Sequence, residues 1–268
     1  IQVTVDPIIT ISISNDTAIC EGDCAPLLAS GATSYAWNTS PSLSDTAVAN
    51  PIACPVATET FFVTGTAGLC TDNAQVTVTV NPSPTIDAGL DQTICIGDTV
   101  QLGASGGLFY LWTPADSLSA TTTADPFAWP TDSTQYIVTG TDANGCSSSD
   151  TVNVFVNPLP AVDAGPASSI CLGDTAQLDA SGANSYNWSP SGSLSNAAIS
   201  NPLAFPTVST TYTVVATDTN GCVNTDSVVV TINSLPTASV SSDTTICVGD
   251  TASLVASGGT TYQWSPDS

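Results

Sequence analysis

A cysteine followed two residues later by Gly-Asp recurs at Cys20, Cys95, Cys171 and Cys247, in steps of 75, 76 and 76 residues. Seventeen residues after each comes a tryptophan: Trp37, Trp112, Trp188 and Trp264. Two residues before each tryptophan stands a tyrosine: Tyr35, Tyr110, Tyr186 and Tyr262. A second cysteine follows at Cys70, Cys146 and Cys222, spaced 50, 51 and 51 residues from the first. Features that hold register over several periods mark a repeat array, in which each period is one small folding unit. The units run 8–81, 82–157 and 158–233. Residues 234–268 read as an incomplete fourth repeat, and 1–7 as the end of a preceding one. The joints VNPSP (80–84), VNPLP (156–160) and INSLP (232–236) carry proline, which fixes φ and removes a donor. They read as short, stiff, extended connectors.

Within a unit the periodicity is that of strands. DTVQLGAS (98–105), TQYIVTGTD (134–142) and DTVNVFV (150–156) alternate, and YLW (110–112) opens a further strand. Asn144-Gly145 and Asn220-Gly221 lie between alternating runs, the strongest short hairpin signal. No ten-residue stretch has helical periodicity. About seven short strands around a central tryptophan predict a small antiparallel sandwich of immunoglobulin type. The expected fold class is therefore all-β: a tandem array of such sandwiches forming an elongated rod.

Charge narrows the function. The chain has no Lys, Arg or His against 23 Asp and Glu, a formal charge of −23. Without basic groups it has no phosphate clamp, so nucleic acid is excluded as a partner of this segment. Ser-His-Asp triads, Cys-His dyads, Schiff-base lysines and His-ligated zinc are excluded with it. Disorder is not implied, because hydrophobic residues make up 42% and charged ones only 9%. No run of about 20 apolar residues exists, so no membrane insertion is expected in this segment. No signal peptide opens it, and the chain reads as a window from a longer protein. Nine cysteines without histidine point to disulfides in an oxidising compartment.

The matched spacing suggests pairing within repeats: Cys20–Cys70, Cys95–Cys146 and Cys171–Cys222, with Cys247 taking a partner outside the chain. Each closed loop of about 50 residues would contribute roughly 4 kcal/mol on the chain-entropy relation. In an immunoglobulin topology, however, the two cysteines of a repeat sit at distant ends. A neighbour-to-neighbour staple such as Cys95–Cys222 is the alternative. Cys24 and Cys54 occur in the first repeat alone, where the second has Thr99 and Trp129, so they are expected to pair with each other.

The run PTIDAGLDQTICIGDTVQLGASGG followed by YLW, with TTYTVVATDTNGC and TDSVVVTIN later, resembles a polycystic-kidney-disease (PKD) type domain. Its dialect (ICxGDTxxLxASG, YxWSP, NPxAxPT, TDxNGC) is similar to the tandem repeats of large Bacteroidota cell-surface proteins. Those include gliding-motility-associated adhesins exported by type IX secretion. The resemblance implies a non-enzymatic extracellular or cell-surface segment, outer-membrane associated through regions elsewhere. Two alternatives are a carbohydrate- or partner-binding module and an accessory stalk of a secreted hydrolase. Expected partners are neighbouring repeats, with a surface glycan or self-association into a filament as further options.

Aspartates recur with the repeat at turns, as in Asp23, Asp98, Asp174 and Asp250. A catalytic pair is not expected at that spacing. Asx-turns are the plain reading. Calcium is the sharper one, since it takes six to eight oxygens. Candidate ligands are Asp87, Asp91, Asp142 with Asn144, Asp163, and Asp218 with Asn220. Asp-[Ser/Thr]-[apolar or Thr] resembles the Bacteroidota O-glycosylation acceptor. It occurs at Thr17, Thr46, Thr99, Ser117, Ser133, Thr151, Thr175, Ser227, Thr244 and Thr251. The recurrent tryptophans are expected in the core rather than as sugar platforms. Tyr136 and Tyr212 are candidate corner tyrosines, and Trp129 reads as core filler.

Overall fold

The computed structural model describes residues 8–265. Residues 1–7, read above as the end of a preceding repeat, lie outside the described residues. The chain divides into two compact units, one ending at Val156 and one beginning at Asn157. Every regular element described is a strand.

The second repeat shows how sequence becomes sandwich. Its larger sheet has four strands in the order Phe109–Thr113, Thr134–Thr141, Ser147–Asn157, Gln92–Cys95. Thr134–Thr141 alternates inward Tyr136 and Val138 with outward Gln135 and Ile137, as a half-buried strand must. It returns through the Asp142–Cys146 turn, where Gly145 takes φ 82°. The facing layer is built from short pieces, Val100–Gln101 paired with Phe127–Ala128 and a bridge from Leu118 to Ala128. Between the layers sit Ile86, Ile94, Leu102, Trp112, Tyr136, Val138, Val152 and Val154. Equivalent separate cores surround Trp37 in the first repeat and Trp188 in the third.

Two expectations need correcting here. The run 98–105 is not a continuous strand: only Val100–Gln101 is regular. Beyond it the Leu102 N–H donates to Pro126 O at 2.9 Å, and a proline can return no bond. The ladder stops although Leu102 stays buried. Nor is the larger sheet purely antiparallel. Thr17–Cys20 runs parallel to Cys70–Asn81, and Ser168–Cys171 runs parallel to Val223–Asn233.

Glycine is required at one recurrent place. At Gly106 φ is +90°, and an added Cβ would lie 1.9 Å from the Thr85 carbonyl oxygen. Gly182 repeats the arrangement against Ala161. These glycines let the start of each repeat lie directly against the turn that precedes its tyrosine.

The fourth repeat contributes one short pair, Ser239–Val240 with Ala256–Ser257. Trp264 is half exposed there.

Candidate functional site

The chemistry this chain displays is sulfur chemistry, set by strand register. In the first repeat Cys20 lies opposite Asn81, at the far end of the strand that Cys70 begins. Eleven residues at about 3.3 Å each put those two cysteines on the order of 36 Å apart. A disulfide needs Cα atoms about 4.4–6.8 Å apart, so Cys20–Cys70 is excluded. The third repeat gives the same result. Cys171 lies opposite Asn233, and Cys222 immediately precedes Val223–Asn233, so Cys171–Cys222 is excluded as well. Matched sequence spacing reflected the repeat and not proximity.

Instead Cys20 bonds Cys146, with Cα atoms 5.5 Å apart across a sequence separation of 126. This replaces both Cys20–Cys70 and Cys95–Cys146. Cys20 ends its strand where the first repeat hands over to Pro82, and the Glu21 N–H donates to Asn81 O at 2.9 Å there. Cys146 closes the hairpin turn of the second repeat. The bond therefore links two successive repeats. Closing a loop of that size contributes about 5 kcal/mol on the chain-entropy relation. Cys24 and Cys54 are also joined, with Cα atoms 4.2 Å apart. They sit beside the paired strands Ala25–Pro26 and Ile52–Ala53 and lock that short layer. Cys95 and Cys222 are both in disulfide form, while Cys171 and Cys247 are exposed thiols.

The candidate calcium ligands are engaged with the backbone. Asp142 Oδ1 accepts from the N–H groups of Asn144 (2.8 Å) and Cys146 (2.9 Å). Asp218 Oδ1 does the same for Asn220 (2.8 Å) and Cys222 (2.9 Å). These are Asx-turns, and their product is a rigidly presented cysteine. Asp87 and Asp163 accept from the N–H groups of Gly89 and Gly165, both at 2.8 Å. Asp91 Oδ1 holds the Asn153 N–H at 2.8 Å. Among the described residues no three acidic or cysteine side chains gather as a metal site.

Another set of aspartates acts at longer range. Asp72, Asp150 and Asp226 accept at Oδ2 from the N–H groups of Ile11 (2.9 Å), Ala88 (2.8 Å) and Ala164 (2.8 Å). Each fastens the first segment of a repeat to its last strand. Their only sequence signal was recurrence in the last strand. The Ala88 and Thr151 N–H groups hold the Asp150 carboxyl below the usual carboxylate range. Those of Ala164 and Ser227 do so for Asp226. A depressed folded-state pKa gives stability that is present above the unfolded pKa, near 4, and is lost as pH falls through the folded value. General acidification works the other way, by relieving repulsion among 23 carboxylates. The comparison must therefore be between variants. We expect Asp150→Asn to flatten the loss of melting temperature between pH 5 and pH 2.5 relative to the parent. An unchanged pH profile would remove Asp150 as a clamp.

The aromatic residues divide by face. Trp37, Trp112 and Trp188 are buried, and each indole N–H donates to the carbonyl oxygen eleven residues on: Val48, Thr123 and Ile199. Tyr110 and Tyr186 donate to the carbonyls of Gly107 and Ala183 and accept those residues' N–H groups, a local tie the YxW motif supplies. Tyr136 donates to Asp116 O at 3.3 Å, and the Tyr212 hydroxyl pairs with Ser193 Oγ at 2.6 Å. Trp129 is not core filler: it is 44% exposed. Its neighbour Ala128 faces inward, so strand alternation turns 129 outward, as it does Phe205. Of the candidate acceptor hydroxyls, Thr46 and Ser117 are half-buried and the rest are exposed. Ser133 Oγ accepts the Val156 N–H at 3.0 Å.

No family model matches the chain, and no curated protein matches it. Solved structures of similar fold exist at low identity. Drosophila OTK extracellular domains 3–5 share 9% identity over 84% of this chain and 97% of that one, with a TM-score of 0.34. The titin I9–I11 tandem shares 12% over 84% and 100%, at 0.35. The insect immune protein hemolin shares 13% over 84% and 76%, at 0.32. At such values the likenesses carry no argument about function. The immunoglobulin-like reading rests on the strand order and the core tryptophans themselves.

Proposed function

We propose that this chain is a non-enzymatic structural segment of an extracellular or cell-surface repeat protein. Its work is to space and transmit tension rather than to transform a substrate. The observation that carries this reading is the Cys20–Cys146 bond, which ties one repeat to the next instead of closing a repeat on itself. A staple of that kind adds nothing to a binding pocket and resists separation of neighbours. The disulfides support an oxidising compartment as its setting. The motif dialect supports the narrower reading, a gliding-motility-associated adhesin of the type IX secretion kind.

The proposed spacer needs no calcium: Asp142 Oδ1 and Asp91 Oδ1 already hold their turns and strands through backbone N–H groups. Melting with and without EDTA should therefore give the same midpoint. A lower midpoint in EDTA would make calcium a structural element.

One observation favours a second reading, partner binding. On the outward face of the second repeat Phe109 is 67% exposed, Leu111 51% and Ile137 40%. The matching strands of the third repeat present Ser185, Asn187, Thr213 and Val215 there. Pull-down and glycan-array experiments on the 268-residue chain separate the readings. Saturable binding that Phe109→Ser with Leu111→Ser abolishes would replace the spacer reading. Its absence is what the spacer reading expects.

A further inference from the structure

The Cys24–Cys54 bond lies on the solvent side of its short sheet. The ladder pairs Pro26 with Ile52 and Ala25 with Ala53, which puts Cys24 opposite Cys54 one step further on. Ala25 and Ala53 are buried in the first core, and strand alternation turns their cysteine neighbours outward. Cys24 and Cys54 are both exposed. The Cys20–Cys146 bond differs, since Cys146 is 0% exposed and Cys20 is half-buried. The layer beneath Cys24–Cys54 is also held without sulfur. The N–H groups of Leu27, Ala29 and Cys54 donate to Pro51 O, Ala49 O and Ser42 O at 2.9, 2.8 and 2.8 Å. Charge beside the bond has one sign. Asp23 directly precedes Cys24, Glu21 lies three residues before it, and both are exposed. The chain has no basic side chain to offset them.

We propose that Cys24–Cys54 is a thiol-exchange site that opens and closes on the folded first repeat and selects thiols bearing a positive charge, such as aminothiols. Exchange requires a thiolate to reach a disulfide sulfur, which the outward placement allows. The incoming thiolate bonds one sulfur as the Cys24–Cys54 bond breaks. The other cysteine leaves as a thiolate and takes a proton from water. A second thiolate of the same kind attacks the mixed disulfide, leaving two cysteine thiols and the external disulfide. The two electrons the protein gains come from those two external thiols. An anionic thiolate approaches Glu21 and Asp23 against repulsion, and an ammonium group on the same molecule offsets it. Burial of Cys146 withholds the staple from this attack, so the link between repeats persists while the exposed site turns over. The site serves a spacer and a binding module alike, so its failure would leave the functional reading untouched.

Exchange kinetics on the native 268-residue chain test it. The chain is treated at low salt with cysteamine or with mercaptoethanesulfonate, matched for thiolate concentration. It is then quenched in acid, alkylated and digested with an Asp- or Glu-directed protease, since trypsin has no Lys or Arg to cut. Cys24 and Cys54 should open at least tenfold faster than Cys20 and Cys146. Equal rates, or faster opening of the staple, would overturn the proposal. The rate ratio of cysteamine to mercaptoethanesulfonate should be at least about fivefold higher in the parent than in Glu21→Gln with Asp23→Asn. The excess should shrink in 1 M salt, where the screening length is about 3 Å. A parent ratio no higher than that of the neutralised variant would overturn the selection of charged thiols. Amide protection of residues 61–78 should survive the opening of Cys24–Cys54. Its loss in step with cleavage would show that the bond opens only with the fold, and would overturn the site as an exchange site.

Discussion

Trp112→Ala should destabilise the second repeat by about 3–5 kcal/mol, the range for removing a fully buried tryptophan. The indole is 0% exposed and packs among Ile94, Leu102, Tyr136, Val138 and Val154. Its loss also strips the Thr123 carbonyl of the 2.9 Å bond from Nε1. A unit of about 76 residues buries only some 60% of its unfolded surface, so its margin is small. The expected result is therefore loss of the second core as a whole. The third repeat has its own tryptophan and its own core and should keep its protection. Amide hydrogen exchange reads the two apart: residues 86–154 should exchange at the unfolded rate, and residues 164–230 should not. Trp112→Phe should recover much of the loss, since the ring volume is largely kept. A change below 1 kcal/mol for Trp112→Ala would mean the tryptophan is not a core residue. The platform reading of these tryptophans would then return, with sugar binding as its readout.

Alternation in 134–142 and 150–156, the Asn144-Gly145 turn and the recurrent Trp112 position were all readable, because strand period and turn chemistry are local. Trp129 was misread because the alternation of a two-residue strand is too short to set its face. The Cys20 pairing was misread for a different reason. Equal spacing in a repeat array makes partners within a repeat and between repeats indistinguishable, and only strand register separates them. That register comes from the parallel placement of Thr17–Cys20 beside Cys70–Asn81, a long-range choice with no local signal. Asp150 was overlooked similarly: its bond to Ala88 spans 62 residues.

The acid-rich, base-free composition fits the same picture. The 23 acidic charges are spread along the repeats, at turns and, as with Asp150 and Asp226, within strands, and are largely screened from one another beyond about 8 Å in physiological salt. They keep the chain soluble, and the Asx-turns among them give two cysteines a fixed presentation.

The second large effect concerns tension. With Cys20 bonded to Cys146, a chain pulled from its ends cannot lengthen through the residues between them. A separation of 126 residues at about 3.4 Å per extended residue hides roughly 430 Å of contour. Any further staple of the same kind can only hide more. Core unfolding then releases little length while the sulfur bonds hold, which is how a spacer keeps its reach after losing a core. A binding module presented on loops has no need of that property.

Single-molecule force extension of the 268-residue chain, with and without a thiol reductant, measures this directly. The fully unfolded contour should be shorter by at least about 400 Å in the oxidised chain than in the reduced one. Equal contour lengths in the two conditions would show that no bond bridges successive repeats, and would contradict the stapled-spacer function.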